Sequence, residues 1–346
     1  MSKPVVAADS IASSSCSGLL GGLDIGGTKC AAVLGRTTKN GVEIVGKRMF
    51  PTPPTPTLAL AALMEALDAL LAEHSKLGAL KAVGVSCGGP LDSRRGLILS
   101  PPNLPGWDKI DVLTPLQERY GVPAAVQNDA NACALAEWQW GAGRGTRNMI
   151  FLTFGTGMGA GLILNGALYA GTSDMAGEVG HMRLAEDGPV GFGKPGSFEG
   201  FCSGGGMAQL AHTMTQAWIA EGKRSVLIGA EGHEPAIELT ARTVAEAAHS
   251  GDELALQIME KVGLKLGRGL AVLVDLLNPE RIVIGSIYAR QESLLAPIAL
   301  AELRREALPH SLAVCEIVAA GLRENVGDAA SLSVAQYAWD SAQAQG

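Results

Sequence analysis

Asp129 stands between two glycine-rich segments, Asp24-Ile25-Gly26-Gly27-Thr28-Lys29 and Thr153-Phe154-Gly155-Thr156-Gly157-Met158-Gly159. Consecutive glycines let backbone N–H groups approach phosphate oxygens with no Cβ in the way. Thr28 and Lys29 add a hydroxyl and a cation to the first segment, and Asp24 can hold a magnesium ion through water. The first segment is neither a Walker loop nor a dinucleotide fingerprint, because it lacks G-x-x-x-x-G-K-[ST] and opens no helix with G-x-G-x-x-G. Each segment alone could be a tight turn; two in one chain, each after an apolar strand, favour phosphate binding. Asp129 lies in Asn128-Asp129-Ala130-Asn131-Ala132, after a strand and at the start of a helix, where the dipole favours an ionised carboxylate. An ionised Asp beside a substrate hydroxyl is the base of phosphoryl transfer. The competing reading is plain helix capping by Asn128 or Asp129.

A third constellation is Glu178, His181 and Glu199, in a glycine-rich region with little charge. Carboxylates accept several hydrogen bonds, so a histidine flanked by two of them suits recognition of a polyhydroxylated substrate. A hydrogen-bonded core histidine is the plainer alternative. Trp107, Trp138, Trp140 and Trp218 read as core or interface residues rather than sugar-stacking platforms.

These residues need strands and helices to converge. Residues 19–34 read as two strands around a glycine turn, and 51–56, with four prolines, as an extended connector. Thr57 is expected to cap a helix whose Leu60, Leu63, Met64, Leu67, Leu70 and Leu71 recur at helical spacing. Short strands are expected at 81–86, 124–127, 148–154, 159–164, 281–285 and 314–318. Strand 81–86 ends in Cys87-Gly88-Gly89-Pro90, the kind of strand end where α/β proteins place ligands. Helices are expected at 130–140 and 252–277, and Asn165-Gly166 signals a hairpin. Strands alternate with helices throughout, which makes the class α/β. The paired glycine segments hint at a duplicated architecture, although no repeat of 20–50 residues is visible.

The chain has 346 residues, 47% of them hydrophobic, enough for two lobes with separate cores. A net charge of −7 without a basic run argues against nucleic acid as a partner. Arg304 and Arg305, between Glu302 and Glu306, read as a solvated helix face. Six cysteines without C-x-x-C spacing fit a reduced, cytoplasmic protein. Residues 1–18 read as a disordered tail, and no stretch reads as a membrane span.

Over 19–327 the chain resembles the ROK family (repressor, open reading frame, kinase), most of whose enzymes are ATP-dependent hexose or N-acetylhexosamine kinases. The two glycine segments look like its phosphate motifs. Asn278-Pro279-Glu280-Arg281-Ile282-Val283-Ile284-Gly285 looks like its adenosine-side strand, with Ser286 where a second glycine is usual. The resemblance implies an actin-like (ribonuclease H-like) two-lobe ATPase fold with its site in the interlobe cleft. One lobe would comprise 19–129 plus 328–346, the other 130–327. It implies that Asp129 deprotonates a sugar hydroxyl, usually that on C6, for attack on the γ-phosphate of MgATP. It further implies that Gly89, Asn103, Asn128, Glu178, His181 and Glu199 hold the other hydroxyls. Gly26, Gly27, Thr28, Lys29, Gly155, Thr156, Gly157 and Gly285 would bind the nucleotide, with Asp24 on Mg2+, and a homodimer is expected.

Most members bind a structural zinc through the His of E-x-G-H and three cysteines. Val190, Phe192 and Ser197 occupy those cysteine places here, so no zinc is expected, with Val190 and Phe192 stabilising the loop by packing. Glucose is the expected acceptor, with fructose, mannose, allose and N-acetylhexosamines as competitors. A repressor would need an N-terminal helix-turn-helix, for which the segment before Leu19 reads as too short; a catalytically silent sugar-binding protein is the remaining alternative.

Overall fold

The computed structural model of the protein describes residues 18–229 and 234–344; the tail expected over 1–18 thus lies outside the described residues except for Gly18. The chain opens on three antiparallel strands, β1 (Leu19–Ile25), β2 (Lys29–Thr38) and β3 (Gly41–Pro51). Helix α1 (Pro56–Glu73) then carries the chain back, and β4 (Leu80–Cys87) pairs with β1 in parallel. A small sheet of β5 (Leu91–Asp92), β6 (Leu97–Leu99) and β7 (Asp108–Asp111) and helix α2 (Thr114–Tyr120) lead to β8 (Ala124–Asn128), parallel to β4.

After α3 (Asp129–Trp140) the same plan recurs. Strands β9 (Met149–Phe154), β10 (Met158–Leu164) and β11 (Ala167–Leu168) are antiparallel. An insertion follows: a hairpin of β12 (Val190–Gly191) and β13 (Lys194–Pro195), then α4 (Phe198–Phe201), α5 (Gly204–Ala220), α6 (Ala241–His249) and α7 (Glu253–Leu277). Strand β14 (Arg281–Ile284) pairs in parallel with β9. After α8 (Ile287–Arg290), α9 (Glu292–Glu306) and α10 (Pro309–Leu312), β15 (Glu316–Ala319) pairs with β14, and α11 (Val326–Gln343) closes the chain. The sheets run β3-β2-β1-β4-β8 and β11-β10-β9-β14-β15, identical in order and direction. The duplication hinted at by two glycine motifs is therefore a duplicated topology.

Each sheet is covered on both faces, which is why its central strands read as unbroken apolar runs rather than alternating ones. In β9, Ile150, Leu152 and Phe154 join the core built with α7, whereas Met149 and Phe151 face a second core containing α3. The two helices that follow the last strand of each sheet are exchanged: α11 packs on β1, β4 and β8, and α3 on β9 and β10, with α3 and α11 in contact. Glycines permit that approach. A Cβ on Gly84 would lie 2.2 Å from both Ala335 N and Ser331 O, and one on Gly161 would lie 2.4 Å from Ala134 Cβ and 2.5 Å from Ala130 O.

Two local expectations are corrected. Thr55, not Thr57, caps α1, accepting from Leu58 N–H, because Pro56 at the first helical position has no N–H to satisfy. The helix face around Arg304 and Arg305 is not wholly solvated. Glu302 is 2% exposed and bonds Arg268 at 2.6 Å and Arg305 at 2.7 Å. Trp107, Trp140 and Trp218 are buried, and Trp138 Nε1 donates to Thr146 O, as expected of core residues. Among the described residues no helix is long and apolar enough to cross a membrane.

Candidate active site

The C-terminal ends of β1, β4 and β8 deliver Asp24, Gly88-Gly89 and Asn128-Asp129 to one edge of the first sheet. The β1–β2 turn is fixed from β3's end: Gly26 N–H donates to Lys29 O, while Thr52 donates through Oγ1 to Gly26 O and through N to Thr28 O. Asn103 lies against both glycine turns; its carbonyl oxygen would meet a Cβ on Gly27 at 2.4 Å, and its side chain one on Gly88 at 3.0 Å. Gly89 is exposed, as are Thr28, Lys29 and Asn103. Asn128 is the N-cap of α3, its Oδ1 accepting from Asn131 N at 2.8 Å. The capping bond uses Asn128 and leaves the Asp129 carboxylate out of it.

Asp129 lies open to solvent at its rim, yet the protein packed around its carboxyl removes enough water to raise its proton affinity, against the expectation that the helix dipole would keep it readily ionised. Desolvation of a charge outweighs a dipole confined to the first turn. Ser86, itself 3% exposed, works in the opposite direction by donating its hydroxyl to Asp129 Oδ1 at 3.1 Å. Ser86 escaped sequence reasoning, although a serine inside an apolar strand that ends in two glycines was the available signal. Asp24 is pushed up to about 6, first by burial and then by the negative charges of Asp129 and Asp328, against Lys47 and Lys29. Crowded carboxylates with raised proton affinity beside a phosphate-sized turn fit a divalent cation, which would relieve their repulsion.

The second sheet contributes the β9–β10 turn, closed by Gly155 N–H donating to Gly157 O. Glu199 Oε2 accepts from Met158 N at 3.0 Å, which ties that carboxylate to the turn. Gly155 also meets Ser286: a Cβ there would lie 3.2 Å from the serine Oγ. Ser286 follows buried Gly285 and holds φ 58°, ψ −116°, backbone territory that favours glycine. Glu178 and His181 are exposed on a short turn that presses on β10, with Gly180 so close that a Cβ would lie 2.1 Å from Met158 O. The halves are also tied directly, Ser93 donating through N and Oγ to the Asp174 carboxylate at 2.9 and 2.7 Å.

The places of the three zinc-binding cysteines hold a valine, a phenylalanine and a serine whose buried hydroxyl accepts from Gly200 N at 3.1 Å. This donor set does not fit zinc. The expected packing is corrected: Phe192 is 80% exposed and Val190 44%, and the phenylalanine and His181 rings meet edge to face, 6.4 Å between centroids. A two-residue strand with a tight turn leaves no interior for them to fill.

The family described as "ROK family" matches residues 20–336. A glucokinase of Halalkalibacterium halodurans is 36% identical over 283 residues, covering 80% of this chain and 83% of that one. An N-acetylmannosamine kinase of Shigella boydii is 32% identical over 307 residues, covering 88% and 94%. The crystal structure of a ROK family glucokinase from Streptomyces griseus in complex with glucose and AMPPNP superposes with TM-score 0.69 at 32% identity, covering 92% of this chain and 100% of that one. The fold is the actin-like two-lobe ATPase fold of such kinases.

Proposed function

The chain belongs to the ROK family, and from that premise we propose that it is an ATP-dependent hexose kinase acting on the 6-hydroxyl of glucose, with Asp129 as general base. The observation that carries this reading is that Asp129 sits at the end of β8, held by Ser86, with its charge acting on Asp24 near the end of β1, beside the first glycine turn. The raised proton affinity of Asp129 suits a group that must accept a proton in the transition state.

In the proposed reaction the sugar's C6 oxygen forms a bond to the γ-phosphorus while the bond from that phosphorus to the β–γ bridging oxygen breaks. The hydroxyl proton passes to Asp129, and ADP leaves. Gly26 and Gly155 shape the two turns through their own N–H bonds within each turn, so that the N–H groups of Gly27, Thr28, Thr156 and Gly157 cradle the phosphates, with Lys29 as counter-charge and Gly285 making room on the adenosine side. Asp24 would hold Mg2+, which when bound offsets the charge of the phosphates. Gly89, Asn103, Asn128, Glu178, His181 and Glu199 hold the remaining hydroxyls. One oxygen of Glu199 is committed to Met158 N–H and its other is left for the sugar, so sugar and phosphate turn are read by one side chain. Closure of 19–129 plus 328–344 on 130–327 would exclude water from the γ-phosphate. The kinship with an N-acetylmannosamine kinase favours N-acetylhexosamines as the second class of acceptor.

An ADP-release assay with MgATP against hexoses and N-acetylhexosamines tests this. Sugar-dependent turnover is expected, greatest with glucose. Asp129→Asn is expected to lower kcat by about 10²–10⁴ while sugar still binds. Full turnover in that variant would refute Asp129 as the base.

A further inference from the structure

Between His181 and Glu199 the chain lacks a metal donor set, yet it is held from three sides. Val190 N–H donates to Gln209 Oε1 at 2.9 Å and Gln209 Nε2 donates back to Val190 O at 3.0 Å, so one α5 side chain pairs with the hairpin edge as a neighbouring strand would. Lys194 Nζ donates to His181 O at 2.7 Å, tying the second hairpin strand to the candidate sugar ligand's own backbone. Arg183 Nη1 donates to Pro195 O at 2.9 Å and to Glu186 O at 3.2 Å. Main-chain bonds join the ends of the segment: Leu184 N and Ala185 N both donate to Gly196 O, and Phe198 N donates to Met182 O. The apolar side chains of the hairpin contribute no core, as their exposure shows.

We propose that Arg183, Lys194 and Gln209 form a polar brace that fixes the 181–199 segment, and with it the spacing of His181 and Glu199, for sugar recognition without a metal ion. The proposal rests on the reading that His181 and Glu199 hold the sugar. Two of the three are cationic donors to carbonyl oxygens, the stronger kind of hydrogen bond, and each crosses from one part of the segment to another. A site fixed in advance does not pay for ordering when the sugar arrives, so loss of the brace appears as lost sugar affinity. The three are positioning residues.

The test uses Lys194→Met, Gln209→Leu and the double variant of the full chain, with His181→Ala as reference. D-glucose and, in parallel, N-acetyl-D-mannosamine are titrated calorimetrically without nucleotide, and amide hydrogen exchange is followed over 182–197. The double variant is expected to bind the preferred sugar about tenfold more weakly, from three lost hydrogen bonds whose individual effects are small because all three are exposed. Its exchange is expected to accelerate in this segment alone, with kcat at saturating sugar within about threefold and KM for ATP unchanged. Lys194→Arg should restore affinity, and a zinc chelator should change none of these values. If His181→Ala weakens binding but the double variant binds within about twofold of native with unchanged exchange, the brace is refuted and the sugar reading stands. If His181→Ala binds as native, or neither sugar binds the native protein, the sugar reading fails and takes the brace's function with it.

Discussion

Replacing Ser86 with alanine removes a hydroxyl that donates to Asp129 Oδ1 at 3.1 Å from the buried side of the carboxylate. Asp129 is itself open to solvent, so water takes up part of that bond in the variant. A hydrogen bond to an ionised group contributes about 1.5–3 kcal/mol. That contribution favours the carboxylate over the carboxylic acid, so its loss adds to the rise that desolvation by the surrounding protein already imposes on Asp129. Below the native acid limb the ionised fraction, and hence kcat/KM for the sugar, should fall by about three- to tenfold, the lower end of that range discounted for water at the exposed carboxylate. At alkaline pH both enzymes have Asp129 ionised; the variant's stronger base then offsets part of its looser orientation, and kcat/KM should lie within about threefold of native. Asp24, raised to about 6, contributes its own ionisation to the limb, and the thiols of Cys87 and Cys133 also face Asp129. The comparison is therefore of whole profiles, native against Ser86→Ala against Ser86→Thr, by ADP release from about pH 6 to about pH 9. An acid limb moved to higher pH in the alanine variant and restored by threonine is the expected result. A superimposable profile, or an equal loss at every pH, would refute the argument, since a merely structural serine has no reason to act on one limb.

Asp24→Asn should stabilise the fold at the expense of turnover. Because the folded pKa of about 6 lies above the ordinary 3.8, the penalty is absent at low pH and grows as pH rises through 6. The gain in unfolding free energy should be on the order of 2 kcal/mol near pH 8 and vanish near pH 4; equal gains at both would contradict the assignment. Gly84→Ala and Gly161→Ala should each cost about 1–3 kcal/mol or more in urea unfolding, because their Cβ atoms would enter α11 and α3. Gly205→Ala, with nothing within 4 Å, is the neutral-to-stabilising control, and neutrality of all three would disprove the close helix exchange. Ser286→Gly should raise the thermal midpoint by relieving about 1–2 kcal/mol of strain at φ 58°, with the sugar KM unchanged; a lower midpoint would mean that the bond from Arg290 to the serine hydroxyl outweighs the strain.

The features that short stretches of the chain specify are local. Glycine pairs mark where backbone must turn or approach a ligand, apolar periodicity marks α1 and α7, and Asn165-Gly166, both at positive φ, marks the β10–β11 hairpin. These properties belong to a few neighbouring residues, so the α/β class, most strand ends and the motif loops are legible without coordinates. The motifs also sufficed to identify the family. Only the tertiary structure decided the rest, because it depends on residues far apart in the chain. The exchange of α3 and α11 brings Gly84 against Ala335 and Gly161 against Ala130, and no local pattern encodes those partners. The proton affinity of Asp129 follows from desolvation by the protein around it, offset by Ser86, 43 residues away, and overrides the helix dipole that sequence position suggests. Phe192 is apolar by type, yet it stands in solvent because its short hairpin has no interior, and polar side chains from Arg183, Lys194 and Gln209 hold that hairpin instead. Residue type sets what a side chain can do; only the packing of distant segments sets what surrounds it.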